Sequence, residues 1–206
     1  MVKSVLGTKI GMTQVFDNKG VVVPVTVIDI NNWFVTQVKT VQKDGYHAVQ
    51  MGLLRKRFRN QSFSENWLKA KNDYFLNMQE IKFEDAEAIF VPGGRIGLQS
   101  VAIQEGDKVA VIGISRGLGF QGVVKRWGFS GGPKAHGSRF HRIPGSGGCM
   151  RSQGEVIKGK KFPGHMGCDQ VTVKGLRIIR IDHERGYVFV KGAVPGKAGS
   201  VVTIKK

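Results

Sequence analysis

The chain has 206 residues, enough for one domain with a fair core, or one domain and an appendage. Lys and Arg number 32 against 15 Asp and Glu, a formal charge of +17 with a pI near 10.2, and self-repulsion of that size calls for a polyanionic partner. No apolar run approaches the roughly 20 residues that span a bilayer, and no lysine-rich amphipathic helix stands out, so RNA or DNA leads over an anionic membrane.

Met1 to Ile10 lacks the apolar stretch and cleavage site of a secretory signal and is too glycine-broken for an amphipathic transit helix. A cytosolic, unprocessed chain is expected, with Cys149 and Cys168 as free thiols in a reducing compartment. Hydrophobic residues recur in short β-branched runs closed by Gly, Asn or Asp, which is a mainly β signature. Strands are predicted at Val21 to Ile30, Val35 to Thr40, Ala48 to Met51, Lys108 to Ser115, Gln170 to Ile181, Tyr187 to Lys191 and Val201 to Lys205. Asp17-Asn18-Lys19-Gly20 and His183-Glu184-Arg185-Gly186 each end in a glycine suited to positive φ and read as hairpin turns. One helix is predicted where Ser62 precedes Glu65 by three residues, as in a capping box, with Trp67, Leu68 and Lys69 following. Beyond it, Phe83 to Glu87 and Val91-Pro92-Gly93-Gly94 suggest a polar connection and a turn.

Arg116 to Lys161 differs from its surroundings, with 12 glycines and 10 Lys or Arg in 46 residues against the single acid Glu155. It has too few clustered apolar residues to bury a core and too much like charge to fold back on itself, so an extended arm ordered by its partner is expected. Cations alternate with rings at Phe120, Lys125-Arg126-Trp127, Phe129 and Arg139-Phe140-His141-Arg142, a pattern that stacks unpaired bases while holding the backbone. Phe120 and Phe129 could equally anchor the arm's root, since burial is the commoner fate of Phe. Arg55-Lys56-Arg57-Phe58-Arg59 forms a second basic cluster, either a phosphate contact or an exposed loop.

Apparent catalytic motifs fail in detail. Gly117-x-Gly119-x-x-Gly122 fits a dinucleotide fingerprint, but the acid expected about 20 residues on would fall among His136, Arg139 and Arg142. Gly154 to Lys161 imitates a phosphate-binding loop but offers Lys161 where a magnesium-binding hydroxyl is needed. His136, His141, His165, Cys149 and Cys168 lack the paired spacing of a zinc site and are crowded by cations. An RNA-modifying enzyme should show a cofactor loop or a catalytic acid, and a DNA-compacting protein should bind duplex DNA as tightly as RNA.

Gly7-x-Lys9-x-Gly11-Met12-Thr13, Pro24 to Ile28, Thr36 to Lys39, Gly122-x-Val124-Lys125-Arg126-Trp127, His136-Gly137, His141-Arg142-x-Pro144-Gly145-Ser146, Lys158 to Lys161, Gly164 to Gly167 and Val190 to Gly196 follow one another in a specific order. Together they resemble the bacterial-type L-three family of large-subunit ribosomal proteins, nearly end to end. The resemblance implies a closed β-barrel of translation-protein type, with a small α/β insertion and a long Gly- and Lys/Arg-rich arm. The barrel would take residues 1–115, with the insertion at about 55–100, and be completed by 166–206; the arm would be 116–165. It further implies a structural role on large-subunit rRNA near the peptidyl-transferase centre, early action in assembly, and neighbouring proteins L-fourteen and L-nineteen. The expected location is the cytoplasmic ribosome, an organellar ribosome being the alternative.

Residues expected at the RNA are Arg116, Lys125, Arg126, Trp127, Lys134, His136, Arg139, His141, Arg142, Arg151, Lys158, Lys160 and Lys161. No catalytic residue, metal, cofactor or small-molecule substrate is expected. The chain departs from the family at Ala110 and Leu118, and Arg151 stands where some members carry a methylated glutamine, so that modification is not expected.

Overall fold

The computed structural model describes residues 4–17, 19–59, 61–82, 90–95, 103–148 and 154–206. Its elements in chain order are β1 (Ser4–Phe16), β2 (Val22–Asp29), β3 (Trp33–Lys39), α1 (Val41–Asp44), β4 (Ala48–Leu54), α2 (Asn66–Lys69), α3 (Lys71–Tyr74), β5 (Phe75–Lys82), β6 (Lys108–Ile114), β7 (Gly119–Gln121), α4 (Val123–Trp127), β8 (Gly164–Met166), β9 (Gln170–Asp182), β10 (Tyr187–Lys191) and β11 (Val201–Lys205). All seven predicted strands form, and the protein is mainly β. The chain divides into two compact units, residues 1–114 with 170–206, and residues 115–169.

In the first unit six strands pair in the order β1-β11-β6-β9-β10-β2, and β2 pairs back to β1, so each has two antiparallel neighbours and the ring closes. Alternation along each strand sends one set of side chains inward. The interior is filled by Val5, Ile28, Val109, Val111, Ile178, Val188, Val190, Val202 and Ile204, nearly all β-branched residues that suit a pleated surface. Thr26 also lies inside, fully buried, its hydroxyl donating to the Gly192 carbonyl at 2.6 Å. β1 was not among the predicted strands, because Gly7 and Gly11 break its apolar pattern. Gly7 is nonetheless required: a Cβ there would overlap Ile28 Cγ2.

The two predicted hairpin turns form. Gly20, at φ 74°, donates to the Asp17 carbonyl at 2.8 Å; Asn18 lies outside the described residues. At the other, Asp182 Oδ1 accepts from the Glu184 and Arg185 amides at 3.1 and 3.0 Å, and Gly186 reaches φ 61°. Lys9 runs from β1 to the loop before β11, where its ammonium donates to the carbonyls of Val194 (2.7 Å) and Gly196 (2.9 Å). Burial pushes its pKa below the usual lysine value.

A three-stranded antiparallel sheet, β3-β4-β5, completes this unit. One of its faces, Trp33, Val35, Val49, Met51, Leu53 and Ile81, packs on Leu6 of β1 and Val201 of β11. Its other face, Phe34, Leu54 and Phe75, is covered by Trp67, around which Phe34, Phe58, Phe63 and Tyr74 stand at ring-centroid distances of 5.6 to 6.2 Å. The predicted capping box does not form. Glu65, not Ser62, precedes the helix, without a side-chain cap, and two single-turn helices meet at Ala70. Burial of Trp67 fixes this segment, since so short a helix gains little from its own hydrogen bonds. The Val91 to Gly94 turn forms, with Gly94 donating to the Val91 carbonyl at 2.9 Å; Phe83 to Glu87 lie outside the described residues.

Candidate nucleic-acid interface

Residues 115–169 begin and end on one another. Ser115 donates its amide to the Asp169 carbonyl at 2.9 Å, and the Asp169 amide returns to Ser115 Oγ at 3.2 Å. β7 and β8 then pair as a two-stranded ladder, Gly119 opposite Met166, Phe120 opposite His165 and Gln121 opposite Gly164. α4 follows β7, bounded by Gly122 and by Gly128 at φ 73°, whose amide closes on the Val124 carbonyl at 3.0 Å.

One carbonyl gathers the two limbs of the segment. Phe162 O accepts from Arg126 Nη1 at 2.8 Å and from Trp127 Nε1 at 2.9 Å. The Arg126 guanidinium lies 4.9 Å from the centre of the Trp127 ring, and Lys161 Nζ lies 5.8 Å from it, both within cation–π range. Position 164 must stay small for this, since a Cβ there would sit 2.5 Å from Arg126 Nη1. Arg126 and Trp127 therefore hold the segment together, a use the sequence did not disclose.

Further out, Gly132 donates to the His141 carbonyl at 2.9 Å, and the His141 ring bonds the Pro133 carbonyl through Nδ1 at 3.1 Å. Phe140 lies over Gly132, where a Cβ would meet its ring at 2.6 Å. His136 turns the chain at φ 57°. Among the described residues of this unit only Val123 and Gly167 are buried, so backbone turns and side-chain-to-carbonyl bonds replace an apolar core.

Of the thirteen residues expected at RNA, Arg116, Lys125, Trp127, Lys134, His136, Arg139, His141, Arg142, Lys158, Lys160 and Lys161 are exposed. Arg126 is half-buried in the clasp just described, and Arg151 lies outside the described residues. Among the described residues no cation of this unit has a carboxylate partner; the ion pairs Lys39–Glu80 and Lys206–Asp107 belong to the first unit. The second basic cluster divides differently. Arg55 and Arg57 donate to the carbonyls of Asn72 (2.9 Å) and Asp73 (3.3 Å), and the Arg57 guanidinium lies over Phe58, so those two cations brace the insertion, although Arg57, like Lys56, is exposed; Arg59 is half-buried.

Two residues beyond the expected set share this surface. Phe120 is 77% exposed, so it does not anchor the segment's root, whereas Phe129 is half-buried. His165, opposite Phe120, is also exposed. Alternation on the short ladder pairs them, a signal that becomes visible only once β7 and β8 are known to pair. Cys168 is an exposed free thiol at φ 57°; Cys149 lies outside the described residues. Among the described residues no group of three or more His, Cys, Asp or Glu could hold a metal ion, and no helix is long and apolar enough to cross a membrane.

Residues 95–186 match the family described as Ribosomal protein L3. The chain is 45% identical over 205 residues to the large ribosomal subunit protein uL3 of Alkaliphilus metalliredigens, covering 98% of this chain and 96% of that one. It is 45% identical over 206 residues to the uL3 protein of Finegoldia magna, covering 99% and 97% of the two chains. A third relative, uL3 of Agathobacter rectalis, is 41% identical over 224 residues, covering all of this chain and 97% of that protein.

Proposed function

Because the chain belongs to the ribosomal protein uL3 family, we propose that it is a structural constituent of the large ribosomal subunit that binds large-subunit rRNA directly and is not an enzyme. The observation that carries this reading is the set of exposed cations in residues 115–169, none of them neutralised by a carboxylate among the described residues. Ten Lys or Arg against two acids in 55 residues repel one another until a polyanion supplies the countercharge. Phosphates do so while releasing their own counterions, a favourable term at each contact.

In this reading the six-stranded ring is a closed β-barrel of translation-protein type, built from residues 1–115 and 166–206 with a small insertion at about 55–100. It is the footing from which an arm, residues 116–165, enters folded rRNA and reaches toward the peptidyl-transferase centre. Arg116, Lys125, Lys134, Arg139, Arg142, Arg151, Lys158, Lys160 and Lys161 contact phosphates, and His136 and His141 add hydrogen bonds at the loop. Arg126 and Trp127 present only their outer edges, their inner atoms being spent on Phe162 O. The subunit neighbours are L-fourteen and L-nineteen, the site of action is the cytoplasmic ribosome, and binding comes early in assembly. Peptide-bond chemistry is then supported by position alone.

The test is sedimentation of a cell lysate through sucrose at low and at high salt, following the protein across the subunit fractions. Retention in the large-subunit peak at high salt is expected, and appearance only in light fractions would overturn the reading. Changing Lys158, Lys160 and Lys161 together to Ala should lower the slope of log affinity for rRNA against log salt by about 2 to 3, near 0.7 to 0.9 per lost phosphate contact. An unchanged slope would remove these lysines from the interface.

A further inference from the structure

Unit 115–169 holds several aromatic rings in a cation-rich setting, and among its described residues Phe120 has the most exposed ring. The Trp127 ring lies under Arg126 and Lys161 with its Nε1 bonded to Phe162 O, Phe140 lies over the Gly132 backbone, and Phe129 and Phe162 are half-buried. Phe120 is 77% exposed, although it sits on a paired strand where alternation could have turned it inward. The space beside it is open as well: a Cβ at Gly119 or at Gly122 would meet nothing within 4 Å. Directly opposite, His165 is exposed on the same face of the ladder, with its Cβ about 5 Å away by the geometry of cross-strand pairs.

Exposure alone does not name an occupant, and Phe16 makes the point. It is 71% exposed at the end of β1, but the next residue is the acid Asp17. Phe120 lies inside Lys108 to Gly154, where no acidic residue occurs, with Arg116 four residues before it and Lys125 five after. An exposed apolar ring with an imidazole opposite it, in a stretch of chain rich in unneutralised cations, is the composition that holds a nucleotide: the ring takes the base and the cations take phosphates.

We propose that Phe120 is the stacking platform for an unpaired RNA base, with His165 alongside it as the hydrogen-bonding neighbour of that nucleotide. This rests on the RNA-binding reading above and adds to it the kind of RNA recognised: a single-stranded or bulged nucleotide, not a continuous duplex. The backbone glycines on either side of Phe120 let the nucleotide's sugar approach the ladder closely.

The experiment uses the full chain at fixed salt with two RNA probes of equal phosphate count, a stem–loop with unpaired adenines and a fully paired duplex. Phe120→Ala should weaken stem–loop binding about tenfold, within the range for loss of one stacked base, and leave duplex binding unchanged. Phe120→Trp should keep or improve stem–loop binding, while Phe120→Leu, which is apolar but has no π face, should lose as much as Ala. Retention of wild-type affinity by Phe120→Leu would overturn the proposal in favour of a plain apolar contact. Equal weakening toward both probes on Phe120→Ala would overturn it in favour of a general structural effect. Failure of the wild-type chain to bind either RNA is a separate outcome, which removes the RNA-binding reading and this proposal with it.

Discussion

The two units of this protein solve the problem of order in opposite ways. Residues 1–114 and 170–206 carry 22 Lys or Arg against 13 acids over 151 residues and bury a β-branched interior. Residues 115–169 carry ten against two in 55, bury only Val123 and Gly167 among their described residues, and are shaped by carbonyl-directed hydrogen bonds. Apolar burial is non-directional and indifferent to charge, so it suits a footing. If this segment lies among phosphates, as proposed, its cations must stay free of internal carboxylates, and a few of them bind backbone carbonyls instead. Arg126 shows this, its guanidinium donating to the Phe162 carbonyl.

The largest expected effect tests the first half of that contrast. Ile178 is fully buried in the ring interior, so Ile178→Ala should cost about 2 to 5 kcal/mol, read from the denaturant midpoint. A loss below about 1 kcal/mol would mean that the ring is not held by its interior.

A smaller effect tests the second half. Arg126→Ala removes one of the two bonds to Phe162 O and one of the two cations from the Trp127 ring, a local loss of about 1 kcal/mol. Amides of residues 123–128 should then exchange with solvent about fivefold faster, and Arg126→Lys should not restore them, because a lysine lacks the planar fork. If exchange were unmoved by Arg126→Ala and raised by Val123→Ala, this unit too would depend on apolar burial, and the contrast would fail.

How far the sequence disclosed these two solutions follows from the same physics. Strands β2, β6, β10 and β11 were legible because inward-facing positions repeat every second residue and are mostly β-branched, and β9 from its β-branched runs Val171 to Val173 and Ile178 to Ile181. β1 was hidden by Gly7, a glycine demanded by close packing against Ile28, which a local pattern cannot anticipate. β5 was hidden because Asn77 and Gln79 hold the same-face positions that lead to buried Ile81, so its apolar alternation is broken. Ser62 and Glu65 gave a capping signal that the burial of Trp67 overrode. In the interface the cations were visible as composition. Their division of labour was not, since Arg126 is fixed by a carbonyl 36 residues along the chain. Likewise the openness of Phe120 depends on pairing with a strand more than forty positions away.

The smallest expected effect concerns a place where the first unit does neutralise a cation internally. Lys39 on β3 lies 2.8 Å from Glu80 Oε1, and Tyr46 donates to Glu80 Oε2 at 2.9 Å, while Lys39 also donates to the Tyr46 hydroxyl at 2.8 Å. The Lys39 hydrogen bond first, and Tyr46 second, hold the Glu80 carboxyl below its usual 4.5. Because the folded pKa is depressed, this stabilisation is fully present above pH 4.5 and is lost as pH falls from there through the lower folded value. The same contacts raise Lys39 above its usual 10.5, so its contribution is fully present below that value and fades only as pH rises beyond it. Lys39→Met should therefore lower the melting temperature by a nearly constant small amount at neutral pH, and the gap to wild type should close on acidification below pH 4.5. A gap that held its neutral-pH size in acid would show that Lys39 stabilises the sheet through its aliphatic stem and not through the ion pair. Lys39 would then join Arg126 as a cation whose structural work does not depend on a carboxylate.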